Sequence, residues 1–152
     1  MKVIPASKEE IVKLLSEHRT IGQAPRSELE WLADHGELRR YEEGETVVRK
    51  GMTIGHANMG MAIVLTGRFA IYVDRGSGPR KVMEWQAGDV SGILPFSRMS
   101  ISPGDSYATM DVDVFTVNPS CFPQLIRECP TVTGICVHVL AIWQGPLTAP
   151  LA

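Results

Sequence analysis

The chain has 152 residues, 44% hydrophobic and 21% charged, with a formal net charge of -2. A chain this long buries roughly 70% of the surface its unfolded form exposes, which excludes wholesale disorder and predicts one core without staples. The near-neutral balance argues against a stand-alone nucleic-acid binder, which needs clustered Lys and Arg; the short pairs Arg39-Arg40 and Arg80-Lys81 read as solvated surface.

The N-terminus, MKVIPASKEE, has no apolar run of signal-peptide length, and no segment approaches the ~20 apolar residues of a membrane span. Ser7-Lys8-Glu9-Glu10 has the capping-box form, a hydroxyl with a glutamate three residues on. Ile11, Leu14 and Leu15 follow at helical spacing, predicting a short helix from Ser7 to Glu17. Gly22 and Pro25 interrupt it. Ser27-Glu28-Leu29-Glu30 repeats the capping signature ahead of the apolar Leu29, Trp31, Leu32 and Ala33, and Gly36 stands where a helix commonly stops.

From Leu38 to Val117 short β-branched runs alternate with glycine turns. The runs are Glu45 to Arg49, Met61 to Leu65, Arg68 to Val73, Lys81 to Trp85 and Tyr107 to Val117. Many short strands with turns at similar spacing predict a sandwich, barrel or roll. Thr66-Gly67 between two runs reads as a hairpin turn. After Asn118-Pro119 the spacing turns helical again: Phe122, Leu125 and Ile126 form one stripe, closed by Pro130. Val132, Ile135, Cys136, Val139, Leu140 and Trp143 form a second, which Gly145-Pro146 is expected to end.

The predicted fold is mainly β with flanking helices: a double-stranded β-helix, or jelly-roll-like β-roll, with two short helices before it and two after. Residues 1–37 hold the first helices, 38–117 the roll with a distinct stretch at 87–108, 118–145 the last helices and 146–152 a tail, in one domain. Within 87–108, AGDVSGILPFSRMSISPGDSYA, a Gly-Asp turn leads through Gly92 to an apolar knuckle, Ile93-Leu94-Pro95-Phe96, then Ser97 and Arg98. Small residues, hydroxyls and one fixed positive charge between two strands suit a pocket for an anion.

With these residues in their order, the chain resembles the cyclic-nucleotide-binding domain of the catabolite activator and related regulators. Four stretches carry the likeness: Leu38 to Val47 for the strand-turn-strand entry to the roll, Ile63 to Tyr72 for its central hairpin, Ala87 to Leu94 for the approach to the phosphate-binding cassette, and Phe122 to Ile126 for the following helix. The resemblance implies backbone N–H groups of the cassette facing a cyclic phosphate, a helix-terminus anion site. It also implies a glutamate after the cassette glycine for the ribose hydroxyl, and an arginine before a small hydroxyl residue for the phosphate. Here Ile93 follows Gly92, and the second segment reads Asp105-Ser106-Tyr107-Ala108. Ile93 accepts no hydrogen bond from a ribose hydroxyl, and Asp105 stands where the resemblance implies the phosphate's arginine, whose charge-assisted hydrogen bond contributes about 1.5–3 kcal/mol. The candidate ligand-binding residues are therefore Gly92, Ile93, Leu94, Ser97, Arg98, Ser106 and Tyr107, with Arg98 as the substitute cation, or else as a partner of Asp105 or another carboxylate that closes the loop.

No catalytic residue or metal ligand emerges. His18, His35, His56 and His138 are far apart with no His-x-His, and no Gly-x-Ser-x-Gly, P-loop or Gly-x-Gly-x-x-Gly pattern occurs. His138 reads as a packed or interface residue. Asp111 and Asp113, one residue apart on a presumed strand, are expected on one solvent face. Cys121, Cys129 and Cys136 form no Cys-x-x-Cys and, being odd in number, read as structural thiols in a reducing cytoplasm. The expected function is non-enzymatic. It is a cytoplasmic sensor domain with no cofactor, holding a cyclic nucleotide or other small anion and signalling through the last helix to a second copy or an output domain, without direct nucleic-acid or membrane contact. The alternative is a ligand-free interaction or dimerisation module.

Overall fold

The structure, a computed structural model, describes residues 1–52, 61–91 and 101–148, with side chains to residue 139. The chain opens with a strand absent from the sequence reading, β1 (Lys2–Ile4). It is too short and too exposed to show alternation. Helix α1 (Lys8–Ser16) follows with the predicted cap: the Ser7 hydroxyl accepts the Glu10 backbone N–H at 3.2 Å. Ile11, Val12 and Leu15 are buried, whereas Leu14 is exposed.

Helix α2 (Arg26–His35) starts two residues earlier than the capping reading places it. Pro25 precedes its first turn, no side chain caps it, and the Pro25 carbonyl accepts from Glu28 and Leu29. Pro25 takes the N-cap position in extended conformation, which leaves Ser27 inside the first turn rather than capping it. Glu28 is buried and turned to a different task, described below. Gly36 does end the helix, but in extended conformation, and is already the first residue of β2 (Gly36–Tyr41).

The remaining strands are β3 (Thr46–Val48), β4 (Met61–Thr66), β5 (Arg68–Asp74), β6 (Pro79–Gln86), β7 (Val90–Ser91), β8 (Asp105–Ala108) and β9 (Val112–Val117). They form a five-stranded sheet in the order β1-β2-β9-β4-β7 and a four-stranded sheet in the order β3-β8-β5-β6. All pairings are antiparallel. The predicted run from Tyr107 to Val117 is thus two strands in two sheets, broken at Thr109 to Asp111. Asp111 therefore lies off the strand, accepting the Glu43 backbone N–H at 2.9 Å, while Asp113 pairs with Arg40 at 2.7 Å.

Thr66-Gly67 is likewise not a hairpin turn. β4 and β5 lie in different sheets, and the chain crosses between them there. Gly67 has φ 75°, and a Cβ would collide with the Asp111 carbonyl, so the crossing is pressed against the approach to β9. The true hairpin joins β5 and β6, where the Asp74 carboxylate accepts the Gly76 and Gly78 N–H groups at 2.9 and 3.2 Å.

β9 is buried on both faces, Val112, Val114 and Thr116 on one and Phe115 and Val117 on the other. The five-stranded sheet therefore runs through the middle of the core. One cluster joins it to Ile11, Leu15, Leu29 and Leu32 from the first helices and Leu125, Val132 and Cys136 from the last. Arg39 corrects the reading of Arg39-Arg40 as surface: Arg40 is exposed, but Arg39 is only 8% exposed. Arg80 and Lys81 are exposed as expected.

Helix α3 (Phe122–Glu128) ends before Pro130, which begins α4 (Pro130–Thr148). α4 has 19 residues and continues past Gly145 and Pro146, contrary to the expected stop and to the expectation of a short helix. Its buried residues Val132, Cys136 and Val139 recur four and three apart, which is the helical stripe the sequence predicts. No described helix is long and apolar enough to cross a membrane.

Candidate functional site

The stretch 87–108 is visible at its two ends. Gly92, Ile93, Leu94, Ser97 and Arg98 lie outside the described residues. The lead-in is the turn Ala87-Gly88-Asp89, with Gly88 at φ 98°. Asp89 closes this turn by accepting the Gln86 backbone N–H at 2.9 Å. The Asp89 carbonyl accepts the Val64 N–H at 2.9 Å and the Gly88 N–H reaches the Val64 carbonyl at 3.0 Å. The turn is thereby pinned to β4.

A second set of bonds pins it to the end of α1, through residues that sequence reasoning did not single out. The Arg19 guanidinium donates to the Asp89 carboxylate at 2.8 Å, and the Thr20 hydroxyl donates to the Gly88 carbonyl at 2.6 Å. The buried His18 ring makes the link on both sides. Its Nε2 lies 3.0 Å from the Val64 carbonyl, and its Nδ1 accepts the Thr20 and Ile21 backbone N–H groups at 3.2 and 3.1 Å. Two N–H donors at Nδ1 fix the neutral tautomer with the proton on Nε2. Burial lowers the pKa of His18 from its usual value, in keeping with that form. The sequence signal was weak: a single His-Arg-Thr with no spacing pattern.

The exit is β8, and its alternation settles where the side chains point. Ser106 and Ala108 are buried; Tyr107 is exposed and Asp105 half-buried. Ser106 stands opposite Ile71, and Ala108 opposite Phe69, which in turn lies opposite Trp85. The Phe69 and Trp85 rings are 5.1 Å apart. On the buried face of the four-stranded sheet, Ser106 thus sits among Ile71, Phe69, Val73 and Trp85, a mostly apolar wall with one hydroxyl. Asp105 points the other way. Its carboxylate accepts the Lys50 backbone N–H at 2.7 Å and the Tyr107 hydroxyl at 3.4 Å. These are its partners among the described residues, and it does not face the wall that carries Ser106. Ser106 and Tyr107 are therefore not brought together: Tyr107 packs beside Tyr72 on the outer face, ring centroids 6.0 Å apart.

Ser102 and Gly104 shape the turn into β8. The Ser102 hydroxyl donates to the Gly104 carbonyl at 2.8 Å, and a Cβ at Gly104 would collide with the Tyr72 carbonyl.

α4 meets this region from the other side. Its N-terminus is held by Glu28 of α2, whose carboxylate accepts the Val132 N–H at 2.9 Å and the Thr131 N–H at 3.3 Å. The side chain supplies the cap and the negative charge that a helix start favours. Further along, Cys136 Sγ lies 3.3 Å from Met61 Sδ on β4. His138 is exposed, and with Val139 it lines a cleft of about 290 Å³ shared with Thr20, Met83, Trp85, Asp89 and Val90. The last helix, the lead-in turn and the end of α1 therefore converge on one place. Burial pushes the Cys129 and Cys136 thiols up to about 12, so neither is poised as a nucleophile. Among the described residues no three His, Cys, Asp or Glu side chains gather as metal ligands would.

No protein-family model and no curated protein sequence matches the chain. Solved structures do. A regulatory subunit of a cAMP-independent protein kinase A from Trypanosoma cruzi, bound to guanosine, aligns with TM-score 0.70 and 23% identity over 86% of this chain and 46% of that one. A Trypanosoma brucei regulatory-subunit mutant bound to cAMP in the A site gives TM-score 0.73 and 20% identity over 93% and 52%. The Thermus thermophilus catabolite activator protein gives 0.65 and 19% over 84% and 56%. The chain spans about half the length of these neighbours. Two sheets closed into a roll, with helices before and after, give this chain the fold of the cyclic-nucleotide-binding domains in kinase regulatory subunits and catabolite-activator-type regulators.

Proposed function

We propose that this chain is a non-enzymatic regulatory domain, a single cytoplasmic unit. It would hold a small anionic ligand, a cyclic nucleotide or a relative of one, between the lead-in turn at Gly88-Asp89 and β8. The observation that carries the reading is the inward-facing Ser106 on an apolar, aromatic wall, at the exit of a stretch whose lead-in is pinned from two sides. Trp85 and Phe69 make this wall apolar, and Ser106 contributes its one hydroxyl for a polar group. Arg98 would meet the ligand's charge, and Gly92, Ile93, Leu94 and Ser97 are the other candidate residues of the same stretch. Occupancy would reach α4 through the shared cleft at Asp89, Val90 and Val139, and α4 would pass it to a second copy or an output domain.

Calorimetry with cyclic AMP, cyclic GMP and cyclic dinucleotides tests this. Saturable binding of one of them, weakened about ten- to a hundredfold by Arg98→Ala, is expected from the loss of a charge-assisted hydrogen bond. No binding by any at millimolar concentration overturns the nucleotide version.

One observation favours the second reading, a ligand-free interaction module. Among the described residues the buried face of the four-stranded sheet carries no cation. On that reading Arg98→Ala changes nothing, while substitutions at Val139 or Trp143 abolish self-association on a sizing column.

A further inference from the structure

Three segments of the chain meet on one carbonyl. The Val64 carbonyl of β4 accepts the Gly88 N–H of the lead-in turn at 3.0 Å and lies 3.0 Å from His18 Nε2 at the end of α1. A ring that donates there carries its proton on Nε2, and its bare Nδ1 accepts the Thr20 and Ile21 N–H groups at 3.2 and 3.1 Å. Those two bonds close residues 18–21 into a turn, from which Thr20 reaches the Gly88 carbonyl and Arg19 the Asp89 carboxylate. The Arg19 guanidinium lies so close over Gly88 that a Cβ there would stand 3.0 Å from its Cζ.

The arrangement depends on the charge of the ring. A second proton, on Nδ1, turns that acceptor into a donor facing two N–H groups, and both bonds are lost. Burial opposes the charged ring most, and Arg19 adds to the opposition; the Val64 and Asp89 carbonyls and the Asp89 carboxylate favour it. Glu84 and His138 border the cleft that Thr20 and Asp89 share.

We propose that His18 is a positioning residue for the 87–108 stretch: its neutral ring holds the end of α1 against the lead-in turn, and a second proton releases the turn. The release is a property of the turn itself. Its consequence, a ligand affinity that falls in acid, rests on the reading of 87–108 as the ligand stretch.

The test is hydrogen exchange on the intact chain, corrected for the intrinsic pH dependence of amide exchange. It is read at Val64, Gly88 and Asp89, with Val114 and Phe115 of β9 as reference. Above about pH 6.5 the protection of the turn should be constant. Below it, protection should fall by up to about tenfold per pH unit until the folded-state pKa is passed, while β9 changes less. The His18 ring nitrogen resonances should titrate over the same range as the fall, and a mismatch in wild type overturns the proposal whatever the variants do. His18→Gln takes no proton and should abolish the fall. Thr20→Val removes the hydroxyl bond to Gly88; it should lower the protection of the turn about two- to tenfold at every pH and keep the fall. His138→Gln removes the other histidine of the cleft and should also keep it. Cyclic-nucleotide titrations at neutral and mildly acid pH should show affinity falling in acid in wild type and not in His18→Gln. Absence of nucleotide binding at either pH counts against the ligand reading of 87–108, and the exchange profile still decides the release. An equal fall in His18→Gln, or a fall no steeper at the turn than at β9, overturns the proposal.

Discussion

Replacing Glu28 by Ala removes the cap of α4 from a different helix. Glu28 is 4% exposed, and its carboxylate accepts the Val132 N–H at 2.9 Å and the Thr131 N–H at 3.3 Å. The first is a charge-assisted bond between buried groups, contributing about 1.5–3 kcal/mol. The second is longer and contributes less. The charge beside a helix N-terminus adds about 0.3–1 kcal/mol. The expected loss is therefore about 3 kcal/mol, which for a chain of this size lowers the melting temperature by about 6–12 °C. Glu28→Gln keeps one acceptor and loses the charge, so it should cost about half as much. Thermal unfolding supplies the stability, and hydrogen exchange at the Thr131 and Val132 amides shows whether the loss is local to the helix start. Glu28→Ala within about 0.5 kcal/mol of wild type, the range of ordinary surface changes, refutes the reasoning. So would equal losses for Ala and Gln.

Protonation of His18 is expected to destabilise the fold. Burial holds its folded pKa below the usual 6.5, so the unfolded chain binds the extra proton more readily. The stability tied to neutral His18 is complete above about pH 6.5 and is lost as pH falls through the folded pKa, with a slope of at most about 1.4 kcal/mol per pH unit. Urea titrations from neutral to acid pH should show this slope in wild type and a shallower one in His18→Gln. Gly104→Ala forces a Cβ onto the Tyr72 carbonyl and should cost about 1–3 kcal/mol by overpacking, measured by the same unfolding curves. Cys129 and Cys136, buried with thiols pushed up to about 12, should resist a thiol reagent in the native state at mild alkaline pH, leaving the half-buried Cys121 to react first.

The features legible in the sequence were those carried by local pattern. The Ser7 cap, the glycine-punctuated strands and the stripe of Val132, Cys136 and Val139 all depend on neighbours a few residues away, and all are present. What failed depended on partners far along the chain. Thr66-Gly67 looks like a hairpin turn until β9 is seen to divert the chain between sheets. Glu28 looks like part of a capping box in α2, yet it caps a helix 104 residues away. Arg39 beside Arg40 looks like a solvated pair, but strand alternation and Glu37 draw only Arg39 inward. At the candidate site, the sequence shows which residues stand at 105–108, while the face each occupies required the register with β5. Asp105 proved to be spent on Lys50, and Ser106 took the inward place.

The central claim is that a ligand seated between Gly88 and Ser106 is felt by α4. Hydrogen exchange on the intact chain, with and without the tightest-binding cyclic nucleotide, tests it most directly. The account predicts slowed exchange in 87–108 together with a change at Val132 to Val139. Unchanged exchange at Val132 to Val139 at saturating nucleotide would contradict it.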